Sequence, residues 1–137
     1  MPSIPASHHD LLDAPVGILA TVGPDGRPQQ SAVWFLADGE TIRISLNSSR
    51  QKTANLQRNP VVDLLILDVE RTYRYLEVRG DASIEDDPDY EFADRVGEKY
   101  GTDLRAHDLE GETRIVVTIV PSRVHAVDMS AGCTPST

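Results

Sequence analysis

Apolar and polar positions alternate most cleanly over residues 41–46, where Ile42, Ile44 and Leu46 fall on one side and Thr41, Arg43 and Ser45 on the other. A period of two is the mark of a half-buried strand. Residues 17–22 read as a buried strand, and Gly23-Pro-Asp-Gly26 as the turn after it, with Pro second and Gly fourth. Residues 29–36 predict a second strand, with Ala32, Trp34 and Leu36 on one face and Ser31, Val33 and Phe35 on the other. Ala37-Asp-Gly39 then turns the chain back into 41–46. Three strands joined by tight turns predict an antiparallel meander.

Before the meander, Ser7 and Asp10 ahead of Leu11-Leu12 read as a helix start with Ser7 as cap, ended by Pro15. After it, residues 49–58 predict a short helix capped by Ser48 or Ser49 and stopped by Asn59-Pro60. The apolar run 61–67 suits a strand covered on both sides. Residues 72–84 predict a long strand in which Gly80 marks a bulge or bend. Asp87-Pro88 opens a helix with Asp89 and Glu91 in its first turn, an apolar stripe of Phe92, Val96 and Tyr100, and Gly101 past its end. Residues 113–120 form a final strand, interrupted by Pro121-Ser122 and continued over 123–127. Six strands without βαβ alternation bury their edges best by closing on themselves. The expectation is a mainly β (α+β) protein: one domain over residues 6–129, a six-stranded antiparallel barrel with short flanking helices, and flexible tails at 1–5 and 130–137.

Composition narrows the function. At 137 residues the chain suffices for one domain with a real core, and with only 5% aromatic residues that core must be largely aliphatic. A net charge of −9 argues against non-specific nucleic-acid binding, which draws on basic surface. No run approaches the roughly 18 apolar residues of a membrane span, and no signal segment is evident, so a cytoplasmic protein without membrane contact is expected. The single cysteine, Cys133, permits no internal disulfide and no cysteine metal cluster.

Against this acidic background, residues 45–56 stand out. A strand ends, hydroxyls follow, and Arg50 and Lys52 sit at the start of a short helix. Unpaired backbone N–H groups and the helix dipole favour an anion at such a corner. Arg50 adds a planar fork suited to phosphate or carboxylate, and Lys52 a second charge. The corner reads as the site of an anionic ligand. Trp34, the only tryptophan, reads either as a ring contact for that ligand or as a core or interface residue, and Tyr73 and Tyr75 as packing residues. His8 and His9 would point apart on a helix, and His107 and His125 are isolated in sequence, so no metal site is expected. No Gly-rich phosphate loop, nucleophile–base set or catalytic acid can be named. Cofactor chemistry accounts for that, because a cofactor ring carries the reaction while the protein positions it.

The order of Ala20-Thr-Val-Gly-Pro-Asp-Gly-Arg-Pro-Gln29, Val33-Trp-Phe35, Ser48-Ser-Arg-Gln-Lys-Thr-Ala-Asn-Leu56, Arg58-Asn-Pro60, Tyr75-Leu-Glu-Val-Arg-Gly80 and Val120-Pro-Ser-Arg-Val124 resembles the pyridoxamine 5′-phosphate oxidase-like split β-barrel flavoproteins. Within them the chain is most similar to the flavin/deazaflavin oxidoreductase branch that uses coenzyme F420. The resemblance covers residues 8–127. It implies a homodimer with two cofactors between the barrels, coenzyme F420 or alternatively FMN, and a small-molecule substrate. It also implies that Arg50 and Lys52 hold the cofactor phosphate with Ser45, Asn47 and Ser48, while Gln29, Ser31 and Trp34 lie beside the ring. Pyridoxamine phosphate oxidases carry a further basic C-terminal segment that binds product. No such segment follows residue 127 here, so vitamin B6 oxidation is not expected.

Overall fold

The computed structural model describes residues 2–39 and 41–130. A 3₁₀ helix, Ala6–Asp13, leads into β1 (Gly17–Val22), β2 (Pro28–Val33), β3 (Leu36–Asp38) and β4 (Thr41–Asn47). Helix α1 (Gln51–Arg58), β5 (Val61–Leu67), β6 (Arg74–Asp86) and α2 (Glu91–Tyr100) follow, then a short 3₁₀ helix, Leu104–His107, and β7 (Arg114–Asp128). The seven strands form one antiparallel sheet in the order β2-β1-β5-β6-β7-β4-β3. Its two edge strands, β2 and β3, are joined by Trp34 and Phe35 alone, so the sheet must curl until its edges meet. This is a split barrel of the mainly β, α+β class.

The count is seven strands, not six, and the first half is not a simple meander. The expected strand 29–36 breaks at Trp34-Phe35, where the chain passes from one edge of the sheet to the other. Val33 and Phe35 turn inward, with 6% and 0% exposure, while Trp34 faces out. Ala32, Trp34 and Leu36, which share the opposite face, are therefore on the outer side. The alternation in β4 holds: Ile42, Ile44 and Leu46 are buried and join Leu19, Val62, Leu64, Leu76, Val78 and Val117 in an aliphatic barrel core. Strand β5 is covered fully on one side only. Val62, Leu64 and Ile66 are buried, whereas Leu65 and Leu67 are half-buried on the outer face. Ile4 is buried in the core, and its carbonyl accepts from His9 Nε2 at 2.7 Å. Cys133 and residues 131–137 lie outside the described residues.

The long strands bend where the sequence places Gly80. Register shifts between Arg79 and Gly80, leaving Ser122 as the extra residue of a bulge in β7, between the Arg79–Arg123 and Gly80–Pro121 pairs. A Cβ at Gly80 would lie 2.1 Å from the Val120 carbonyl oxygen, so only glycine allows this close approach.

Helix starts differ from the expected caps. Pro5, not Ser7, precedes the first 3₁₀ helix, and Ser7 Oγ instead meets His8 Nδ1 at 2.8 Å. Helix α1 begins at Gln51 after Arg50 with no side-chain cap, because Ser49 is drawn back to the Asn47 side chain. Helix α2 begins at Glu91. Asp87-Pro88-Asp89 forms a turn, and the buried Asp87 carboxylate reaches over it to accept from Phe92 N–H and Ala93 N–H at 3.2 and 2.9 Å. Phe92 and Val96, with Ala93 and Leu104, then pack as a second small core against Leu36 and Val116. Among the described residues, no helix is long and apolar enough to cross a membrane.

Candidate functional site

Where β4 ends and α1 begins, the chain forms one wall of a cavity of about 440 Å³. Ser45 and Asn47 reach it from β4, and Arg50 and Lys52 from the start of α1. Trp34 closes it from the break between the edge strands, and Val96, Leu104 and His107 from α2 and the turn after it. Five of the expected site residues thus share one cavity: Trp34, Ser45, Asn47, Arg50 and Lys52.

Lys52 decides the character of this corner. It is 9% exposed, and its Nζ donates to Ser31 Oγ at 3.1 Å. No carboxylate among the described residues lies within 4.0 Å of Lys52 or of Arg50. Burial pushes the Lys52 ammonium below the ordinary lysine value, and the nearby Arg50 charge pushes it the same way. A buried ammonium held by one hydroxyl is an incompletely compensated charge. On the same cavity wall, Ser45 Oγ is buried with no hydrogen-bond partner. Buried polar atoms are nearly always paired, so an orphan on the wall of a cavity that also holds two cations without carboxylate partners marks a place for an anionic, hydrogen-bonding group.

The other expected residues hold the corner in shape. Asn47 Oδ1 accepts from Ser49 N–H at 2.9 Å and Ser49 Oγ at 2.7 Å, while its Nδ2 donates to Asp108 Oδ1 at 2.9 Å. Thr53 Oγ1 donates to the Asn47 carbonyl at 2.8 Å, tying α1 to the end of β4. Ser48 Oγ faces Thr113, accepting from its N–H at 3.2 Å, and lies outside the cavity lining. Gln29 lies outside it as well: it is exposed, and its Oε1 accepts from Asn55 Nδ2 at 2.6 Å. Asn55 also donates to the buried Thr21 Oγ1 at 3.0 Å, which fastens α1 to the β1–β2 hairpin. Ser31 meets the cavity only through Lys52.

Trp34 forms a flat wall. Its indole stacks on Tyr100 with centroids 4.4 Å apart and planes 6° from parallel, and His107 stands edge-on at 6.3 Å. Tyr100 is itself fixed, its hydroxyl accepting from Phe35 N–H at 3.1 Å. The cavity therefore joins a cationic end to an aromatic and aliphatic end, as an anion attached to a flat ring would require.

Three lining residues were not legible as such in the sequence: His107, Glu112 and Arg114. His107 ends the short 3₁₀ helix after α2, Glu112 lies in the turn before β7, and Arg114 opens β7 opposite Asn47, a return to the end of β4 that no spacing rule places. Arg114 is neutralised locally, with its Nη2 2.7 Å from Asp108 Oδ1. Burial alone would raise the Asp108 carboxyl, but hydrogen bonds from Arg114, Tyr90 and Asn47 outweigh it and hold it at about 2. Glu112 accepts from Ser49 Oγ and, at 2.7 Å, from Leu109 N–H.

Comparison with known proteins agrees with this fold. The family model described as pyridoxamine 5′-phosphate oxidase matches residues 4–128. A solved F420 reductase is 36% identical, with a TM-score of 0.79 over 88% of this chain and 98% of that one. A conserved hypothetical protein from Mycobacterium tuberculosis is 29% identical, with a TM-score of 0.75 over 100% of this chain and 92% of that one. The HupZ protein of Group A Streptococcus, 18% identical with a TM-score of 0.69 over 98% of this chain and 99% of that one, shares the fold. A match along nearly the whole chain settles the family: this protein belongs to the pyridoxamine 5′-phosphate oxidase family.

Proposed function

We propose that this protein is an F420-dependent oxidoreductase that moves a hydride between reduced deazaflavin and a small electron-poor organic substrate such as a quinone, an enone or a tetrapyrrole-like molecule. The observation that carries the reading is Lys52, buried with no carboxylate partner in the cavity that the orphaned Ser45 hydroxyl also lines. The likeness to an F420 reductase supports the choice of cofactor. Bound in the cavity, the deazaflavin ring would supply the hydride chemistry.

The chain's own residues do the positioning. Lys52 and Arg50 would hold the phosphate through charge-assisted hydrogen bonds. The Trp34–Tyr100 stack sets the plane against which a ring lies. Val96 and Leu104 would keep water from the ring end, and His107 is an imidazole in the same lining. An FMN-dependent oxidase or flavin reductase of the same fold is the second reading, because the two cations serve either phosphate. A carrier that binds the cofactor without turnover is the third.

We also propose a homodimer with the cofactor at the subunit interface. Ile18, Leu65, Leu67 and Tyr75 lie half-buried on the outer face of the sheet, where Asp63 Oδ1 and His125 Nε2 are buried without partners. A second copy would cover the first group and pair the second. Sedimentation equilibrium giving only monomer at micromolar concentration would remove this part of the proposal.

Titration with F420 and with FMN, followed by reoxidation of the reduced cofactor by a panel of quinones and enones, tests the function. Saturable F420 binding with reoxidation is expected. Tight FMN binding without F420 binding would favour the second reading, and binding of F420 without any reoxidation the carrier.

A further inference from the structure

Trp34 and Phe35 belong to neither edge strand: the ladder of β2 ends at Val33 and that of β3 begins at Leu36. Phe35 is fully buried, and a buried backbone needs partners for its N–H and carbonyl. Two adjacent side chains at the end of α2 supply what a neighbouring strand would. Phe35 N–H donates to the Tyr100 hydroxyl oxygen at 3.1 Å, and that hydroxyl donates to the Phe35 carbonyl at 3.2 Å. Burial pushes the Tyr100 hydroxyl above the ordinary tyrosine value, so it stays neutral and can do both. Lys99 Nζ donates to the same carbonyl at 2.9 Å and to the Ala14 carbonyl, ahead of β1, at 3.0 Å. No carboxylate among the described residues lies within 4.0 Å of Lys99. Its Nζ sits instead 4.2 Å from the Phe35 ring centroid and 5.0 Å from that of Tyr100, so carbonyl dipoles and aromatic faces compensate the charge.

Both residues thereby act on Trp34, which precedes Phe35 in the chain. One indole face is spent on the Tyr100 ring, and of these two rings only Trp34 lines the cavity. We propose that Lys99 is a positioning residue for the ring end of the cavity: it pins Phe35 so that the Trp34 indole holds one plane, against whose other face a flat aromatic ligand lies. The inference rests on the reading of Trp34 as a ring contact and deepens it. Lys99 does not line the cavity itself. It acts through Phe35 and Trp34, as residues that lock a site from behind do.

The test is K99M, which keeps the length and apolar stem of the side chain and removes its donors and charge. Trp34 is the only tryptophan, so its near-UV circular dichroism reports how firmly the indole is held in the cofactor-free protein. We expect K99M to lose about half of that signal and to bind F420, and the deazaflavin ring without its phosphate, about threefold more weakly, within what an aromatic stack contributes. Inorganic phosphate, measured as a competitor of F420, should bind K99M and native protein alike, a split that a merely structural role would not give. Should K99M fold poorly, Y100F keeps the stack and loses only the hydroxyl, and the same pattern is expected of it. If the Trp34 signal or the ring affinity is unchanged, or if phosphate affinity falls by the same factor as ring affinity, the inference is overturned while the functional reading stands. If native protein binds neither form of the deazaflavin, the reading of Trp34 as a ring contact fails and the inference falls with it.

Discussion

Two buried cations in this protein live in opposite surroundings. Arg74, 7% exposed, lies at the start of β6 among its own counter-ions: Nη1 is 3.1 Å from Asp68 Oδ2, and Nη2 is 2.5 Å from Asp10 Oδ1. It also donates to the Ser7 carbonyl, so one guanidinium ties the N-terminal 3₁₀ helix and the β5–β6 turn to the barrel. Lys52, 9% exposed, has a serine hydroxyl and a cavity. Burying a charge costs free energy unless it is paired, so a structural cation carries its counter-ion in the fold. A cation without one fits a fold whose counter-ion arrives as ligand. The contrast separates architecture from function more sharply than charge or exposure alone.

If the contrast is sound, removing each cation should do opposite things. R74A should destabilise the fold by about 3 kcal/mol, because it strands a buried carboxylate and unties the N-terminal helix. Urea unfolding measures this, and a loss below about 1 kcal/mol would mean that the ion pairs are ornamental. K52M should leave the cofactor-free protein as stable as before or up to about 1 kcal/mol more so, since an apolar side chain replaces a poorly compensated charge. A clear loss of stability on K52M, seen in thermal melts without cofactor, would make Lys52 structural after all.

A third region sharpens the same comparison from the acidic side. On the outer face of the sheet, burial, the hydrogen bond to Glu77 and the Glu77 charge push the Asp63 carboxyl up to about 7. Arg79 Nε approaches both, at 3.7 and 3.2 Å, without resolving the conflict. With its folded value raised above the ordinary 3.8, Asp63 keeps a proton that the unfolded chain has lost. Native protein then binds more protons than unfolded, so this group's contribution to stability falls as pH rises from about 4 to 7. D63N should flatten that slope and gain about 1 kcal/mol at pH 7.5, well short of full conversion because the carboxyl is over a third exposed and screened, and Glu77 shifts the opposite way. Melts at pH 5 and 7.5 measure it, and equal slopes for D63N and native protein would contradict the assignment.

Much of this was legible in the sequence. The strict alternation of β4, the bulge at Gly80 and the cationic start of α1 all depend on neighbours close in the chain, where periodicity and turn chemistry operate. The crossing at Trp34-Phe35 was not legible. Residues 29–36 alternate well enough for one strand, and only closure of the barrel turns Phe35 inward and sends the chain to the opposite edge. Gln29, which the resemblance places beside the ring, pairs opposite Thr21 and accepts from Asn55 of α1, a contact that only the tertiary fold makes. His107 and Glu112 escaped because the segment between α2 and β7, which has no periodicity, returns to the end of β4.

The central claim is that Lys52 awaits the phosphate of a flavin-type cofactor. Titration of F420 against native protein and K52M, followed through cofactor fluorescence at moderate salt, tests it most directly. The account predicts saturable binding to native protein, weakened by about 1.5–3 kcal/mol in K52M, the worth of a hydrogen bond to a charged group. Equal affinity for the two proteins, with K52M as well folded as native, would contradict it.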